Sequence, residues 1–400
     1  VNLGALKSSN FRTYVAGSIF GLIGMWMQRV TIGWLAWDMT GSSSFVGAIA
    51  LVMFAPAIVL SPLFGVLADR MNVKRSMIAV QVVNFLVILG FFVFVAVDAM
   101  TPTIMMTLSV ITGISMAANH PMRMALTPRL VHREYVSSVI NIVAINFNIA
   151  RMIGPAIAGL LLAVIGVAAT LFVQAILFLP MILALSMVAL RPRRERNSKK
   201  ESFLSELKAG VVYAWQSPVV RSAMLLAGVL SIVARGALEI LPPLADGVFG
   251  RGPDGLGVLL SVTGVGAVIG GFLKAMLPPQ KSGKLSGFTV ATILAGLLSV
   301  SALGLAQSWE MALVVVAGMS FVTTITAISV QTAIQLDLED DMRGRVMSLW
   351  AVVAAGGASL GAGLMGVAGD LVGIQATLIY AGVIATVCAG LITAGFARQK

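Results

Sequence analysis

Met152 to Leu190 reads MIGPAIAGLLLAVIGVAATLFVQAILFLPMILALSMVAL, 39 residues without one charged side chain. As a single helix rising about 1.5 Å per residue, it would reach nearly twice the ~30 Å depth of a bilayer's hydrocarbon core. Two spanning helices joined by a tight turn fit it, and Gly166 is placed to make that turn. Lipid offers no water to backbone N–H and C=O groups, so runs of this kind must be helices that satisfy their own polar groups.

The rest of the chain extends this reading. Of its 400 residues 58% are hydrophobic and 11% charged, against about 25% charged in soluble domains; the polar surface is too small to face water. The expected fold is all-α and integral to a membrane, with twelve spanning helices at 13–38, 44–67, 76–97, 103–126, 138–164, 167–190, 219–246, 255–277, 285–306, 311–335, 345–369 and 373–396. Tyr14–Trp37 is longer than a signal-peptide core and has no convincing cleavage site, so it is read as the first span. The single cysteine, Cys388, rules out an internal disulfide.

A net charge of +11 suggests nucleic acid until its placement is considered. Arg70, Lys74, Arg75, Arg129, Arg133, the cluster from Arg191 to Lys200, Lys281, Lys284, Arg343, Arg398 and Lys400 fall in alternate loops, while Asp98, Asp254, Glu310 and Asp370 fall in the others, with Arg251 the one basic residue there. That is the positive-inside pattern, with both termini cytoplasmic and the protein in the inner membrane. Arg191 to Pro218 is the one long charged interruption and lies near the midpoint. It divides the chain into a bundle at 1–190, a linker at 191–218 and a bundle at 219–400, the internal repeat common among secondary transporters. Within the linker Phe203, Leu207, Val211 and Trp215 recur at helical spacing, as in an amphipathic surface helix or a covered loop helix.

Between the second and third spans stands Gly65-Val-Leu-Ala-Asp69-Arg70-Met-Asn72-Val-Lys74-Arg75. Read physically, it is a turn at the membrane surface. Gly65 permits close helix approach, Asn72 tolerates a left-handed conformation, and Asp69 suits a neighbouring helix N-terminus. The stretch resembles the signature of the major facilitator superfamily, Gly-x-x-x-Asp-Arg-x-Gly-Arg-Arg, with Gly65, Asp69, Arg70 and Lys74 matching and Asn72 and Val73 departing. Gly154-Pro155 and Gly159 in the fifth span, otherwise read as a kink at a helix interface, resemble its exporter motif. Arg343-Gly344-Arg345 and Trp26-Met27-Gln28 resemble the branch containing enterobactin and macrolide exporters. The resemblance runs over essentially the whole chain. It implies the major facilitator fold of two pseudo-symmetric six-helix bundles, and a cytoplasmic gate in which Asp69 caps the eleventh span near Arg343, Gly344 and Arg345.

Charges inside spans cost about 2.5–3.5 kcal/mol each on translocon scales, and so mark function or pairing. They are Arg29 in span one, Arg151 in span five, and Arg235 and Glu239 in span seven, the last two spaced to pair on one helix face. Each arginine is either satisfied by a carboxylate or carbonyls and serves packing, or lines a positive cavity suited to an anionic or amphipathic substrate; Gln28, Asn141 and Asn148 would share that lining. Thr323, Thr326 and Gln331 in span ten are weaker candidates. Spans one and seven line the central cavity in the superfamily resembled. For proton coupling the candidates are Glu239, Asp38 and His120, with Asp38 also read as interfacial and His120 as structural.

Two histidines and one cysteine make no ordinary metal cluster, and no Walker loop, dinucleotide fingerprint or Ser-His-Asp set appears. No cofactor, metal or enzymatic activity is expected. The expected function is proton-coupled export of a small organic compound, siderophore- or drug-like, by alternating access. An importer or a flippase for lipid-like molecules is the alternative within transport, and a non-transporting sensor or assembly partner the alternative outside it. Expected partners are the small-molecule substrate, protons and membrane lipids, with no nucleic acid, and the monomer is expected to function alone.

Overall fold

The computed structural model describes residues 4–192, 203–278 and 285–397. Every regular element among them is helical. The helices are α1 (Ser9–Thr40), α2 (Ser43–Arg70), α3 (Val73–Ala96), α4 (Pro102–Leu126), α5 (Val136–Met187), α6 (Phe203–Gln216), α7 (Pro218–Leu230), the short α8 (Gly236–Glu239), α9 (Gly252–Met276), α10 (Gly287–Gly304), α11 (Trp309–Asp337), α12 (Asp340–Val372) and α13 (Ile374–Ala397). Among the described residues eleven stretches are long and apolar enough to cross a membrane, and one of them, Arg133–Met187, has the length of two. The chain is a multi-pass membrane protein.

Gly166 divides α5 as expected. Its φ of 75° and ψ of 178° lie in a region essentially closed to other residues, and the chain reverses there within one residue. Gly373, at φ 85° and ψ 149°, makes the equivalent reversal between α12 and α13, so both halves of the sequence use the same device before their last span. Other helix starts follow from local chemistry. Thr101, Ser217, Ser286 and Ser308 each cap the N–H three residues on, with Pro102 and Pro218 at first helical positions where no N–H is needed.

The seventh span is not the continuous helix the sequence suggests. After α7 the backbone widens into a π-helical turn at Ser231–Arg235, resumes as α8, and widens again at Pro243–Val248. Pro242 and Pro243 withhold two successive N–H groups from an α ladder, which favours a departure from regular helix there. Bulges of this kind concentrate at functional sites; the first carries Arg235, and Glu239 ends the short α8 that follows it.

The chain packs as two compact units, Val1–Met39 with Val52–Ser198 and Gly252–Ser261, and Thr40–Leu51 with Lys199–Arg251 and Val262–Lys400. The first turns of α2 therefore belong with the second unit, and the first turns of α9 with the first. In the first unit Phe11, Tyr14, Met77, Leu126 and Leu185 form a buried core. Gly17 lies against Pro180 and Met181, Gly154 against Trp26, and Gly159 against Gly257, where a side chain would collide with backbone. Polar ties join its helices: the Gln28 amide donates to Thr112 Oγ1 at 3.2 Å, Asn146 to Ser18 Oγ at 2.8 Å and Gln174 to Thr31 Oγ1 at 2.5 Å. Pro121 leaves the Ala117 carbonyl without its helical donor, and Ser61 Oγ of α2 supplies one at 3.1 Å. In the second unit Gly266 and Gly270 meet the α11 backbone at Ala317 and Phe321, and Gly361 meets Ile232 in the π turn. Leu160, Val164, Leu183, Val314 and Leu371 are among the exposed large apolar side chains, as lipid-facing positions require.

Candidate functional site

In the first unit, aromatic rings link two intramembrane arginines. The Arg29 guanidinium lies 4.6 Å from the centre of the Phe54 ring and 5.4 Å from that of Trp26. Trp26 meets Phe147 edge-on at 5.6 Å, and Phe147 receives the Arg123 guanidinium at 5.5 Å. A desolvated cation over an aromatic face gains on the order of 2 kcal/mol, which explains how α1 and α4 carry these charges. Arg29 makes a further interaction besides these.

Asn141, Asn148 and Arg151 share a face of α5 and are all exposed. Asn148 turns its amide onto the Ala144 carbonyl of its own helix at 2.8 Å. The backbone runs helically through Pro155, whose missing N–H leaves the Arg151 carbonyl without its usual donor. An exposed guanidinium within an apolar span belongs beside water rather than acyl chains. Gln28, by contrast, is buried and committed to Thr112.

In the second unit Arg235 and Glu239 are half-buried around the π turn, and neither is free of interactions. Thr323 and Thr326 donate to Met319 and Val322, carbonyls of their own helix. Gln331 is half-buried. Asp38 is exposed near the end of α1 and is also partnered. His120 is exposed on α4, one residue before Pro121.

The signature after span two departs from its sequence reading at two positions. Nothing lies within 4 Å of where a Gly65 Cβ would stand, so among the described residues no close approach depends on this glycine. Asn72 is extended, at φ −69° and ψ 98°, rather than left-handed; its Oδ1 accepts from the Arg75 N–H at 3.2 Å and caps α3. A side-chain acceptor at a helix start outweighs the left-handed option. Lys74 donates to the Ser186 and Val188 carbonyls at 2.8 and 2.7 Å, closing the end of α5, while Arg70 and Arg75 are exposed. Arg345 is half-buried and partnered. The side chains of Asp69 and Arg343, and Gly344, lie outside the described residues, as does the linker from 193 to 202.

Sequence reasoning missed two features. One is Arg123, passed over because it stands three residues from the end of α4, where a charge reads as interfacial. The other is Asp370. Its carboxylate accepts from Ser42 Oγ at 2.6 Å, the Ser43 N–H at 2.7 Å and the Ser44 N–H at 3.0 Å, capping α2 within the second unit. Asp370 sits in the last turn of its own helix, the end that repels anions, and the N-terminus of α2 compensates it. The clue in the sequence was an acid at a helix C-terminus with three serines elsewhere at a helix start.

Helical spans throughout the described residues, a repeated reversal and charges within the spans suit a secondary transporter, and similarity to known proteins identifies it as one of the major facilitator type. A family model described as "Transmembrane secretion effector" matches residues 2–398, and the chain belongs to that family. It is 26% identical to the enterobactin exporter EntS of Shigella boydii serotype 4 (strain Sb227) over 369 residues, 92% of this chain and 87% of that one. The same figures hold for enterobactin exporter EntS of Escherichia coli O1:K1 / APEC. Among solved structures the fold is similar to a point mutant of the nucleoside transporter NupG, with TM-score 0.76 and 12% identity over 96% of this chain and 99% of that one. It is also similar to a bacterial homolog of the human lysosomal transporter Spinster in an inward-facing, unoccupied conformation, with TM-score 0.74 and 16% identity over 98% of each chain.

Proposed function

We propose that this chain is a secondary active exporter in the inner membrane, with both termini cytoplasmic, extruding a small organic anion of siderophore type in exchange for protons. The observation that carries the reading is the exposed Arg151 on an apolar span, aligned with Asn141 and Asn148. A cation there supports a water-filled path that attracts negative charge. Relatives named as enterobactin exporters support outward transport and a catecholate-like cargo. The alternation of basic and acidic loops supports the orientation. Arg29 and Arg235 would add to the positive potential, and Glu239, beside the π turn, would carry the proton. Asp69 with Arg343, Gly344 and Arg345 would form the cytoplasmic gate.

Everted membrane vesicles with an imposed pH gradient, acid inside, test this. A tris-catecholate siderophore should accumulate inside them, and Arg151→Gln should cut the initial rate at least about tenfold, the loss expected when a charge-assisted contact worth ~1.4 kcal/mol or more disappears. Efflux from the vesicles under that gradient would make the protein an importer, and equal rates in Arg151→Gln would remove Arg151 from the path.

A further inference from the structure

The first unit holds a small, partly open cavity of about 20 Å³ between α1, α3, α4 and both limbs of α5, whose lining does not include Asn148 or Arg151. One water-sized sphere needs about 10–15 Å³ by the same measure, so the space holds one or two small groups and no organic substrate. Its polar lining comes from Tyr14, Ser18, Gln81, Asn84, Asn119, Arg123 and Asn146, and among the described residues no Asp, Glu or His lines it.

Hydrogen bonding spends the Asn146 amide on Ser18 Oγ and fills two of the amide acceptors. Gln81 Oε1 accepts from the Asn84 amide at 3.1 Å, and Asn84 Oδ1 accepts from Ser115 Oγ at 2.6 Å. Two amide acceptors are thus occupied, while the Gln81 amino group has no partner among the described residues. Arg123 Nε is buried and unpartnered, and the guanidinium's contact, the Phe147 ring, offers no acceptor for its N–H groups. A cation with idle donors, beside a phenol hydroxyl and amide N–H groups, is the chemistry that recognises a compact anion.

We propose that this cavity is a binding site for one small inorganic anion of halide size, chloride being the abundant candidate. The ion neutralises Arg123 and ties α4 to α1 and α3 through Tyr14 and Gln81. It is a fixed part of the unit rather than the transported compound, which the cavity is too small to admit.

The test uses the purified full chain in detergent, in sodium chloride, bromide or gluconate at equal ionic strength, gluconate being too large to enter. A ligand that binds only the folded state raises the unfolding midpoint in a saturable way. The midpoint should rise with chloride and bromide over gluconate, and excess ³⁵Cl line broadening should titrate with protein and be displaced by bromide. Both signals should vanish in Arg123→Gln. Should that variant not fold, Tyr14→Phe and Gln81→Leu should each weaken halide affinity several-fold. Identical midpoints in chloride and gluconate together with no excess broadening would overturn the site, leaving water as the occupant. So would signals undiminished in these variants. Neither readout involves transport, so a failed flux assay leaves this result standing and the reverse also holds.

Discussion

Lys74 illustrates how a signature residue can be explained by its contacts alone. The last carbonyls of a helix have no intrahelical donors, and its ammonium serves Ser186 and Val188 at the end of α5. Replacing it with Met keeps the apolar stem and removes the donors. We expect a loss of about 1 kcal/mol, since the group is half-buried, read as a lowered midpoint in thermal unfolding of the purified protein. An unchanged midpoint would mean that water serves those carbonyls as well. At this scale the sequence was least legible. A list of intramembrane polar residues does not distinguish Gln28, spent on Thr112, from Arg151, exposed on α5. Side-chain direction depends on neighbours that no local pattern encodes.

Elements were more legible, because their causes are local. The span boundaries follow from apolar runs closed by capping residues and prolines, and the Gly166 reversal follows from a run too long for one crossing. Gly166→Ala would force an L side chain into a glycine-only region at a cost of about 1–3 kcal/mol. Reduced membrane-integrated yield and increased protease sensitivity between the two limbs of α5 would register it; wild-type yield and resistance would count against the conformation. The π turns at 231–235 and 243–248 were not legible. Pro242-Pro243 marks an interruption, but the widening at Ser231 arises from packing, with Ser231 Oγ donating to the Ala354 carbonyl at 2.5 Å and Gly357 lying against the same serine. Asn72 was misread for the opposite reason, since two local roles were open and only the geometry selects the cap.

For the whole molecule, hydropathy alone fixed the class, as lipid permits few architectures. The glycine reversals at 166 and 373 match one another in the backbone. Proton exchange belongs to this scale because it requires one acid to meet both aqueous phases in turn. Glu239→Gln should abolish pH-driven siderophore accumulation in everted vesicles while leaving membrane insertion intact. Normal gradient-driven flux in that variant would transfer the role to another acid.

α2 has divided loyalties: residues 40–51 cluster with the second unit and its remainder with the first, and Asp370 clamps its leading turn. A carboxylate that takes up three donors of one leading turn makes the protection of that turn depend on a single residue. Asp370→Asn, which weakens the clamp by about 1 kcal/mol, should accelerate hydrogen–deuterium exchange at the amides of Ser43 and Ser44 and leave the far turns of α2 unaffected. Protection unchanged at those two amides would mean that the glycine-lined contact of Gly47 and Gly366, not the carboxylate, holds the tip.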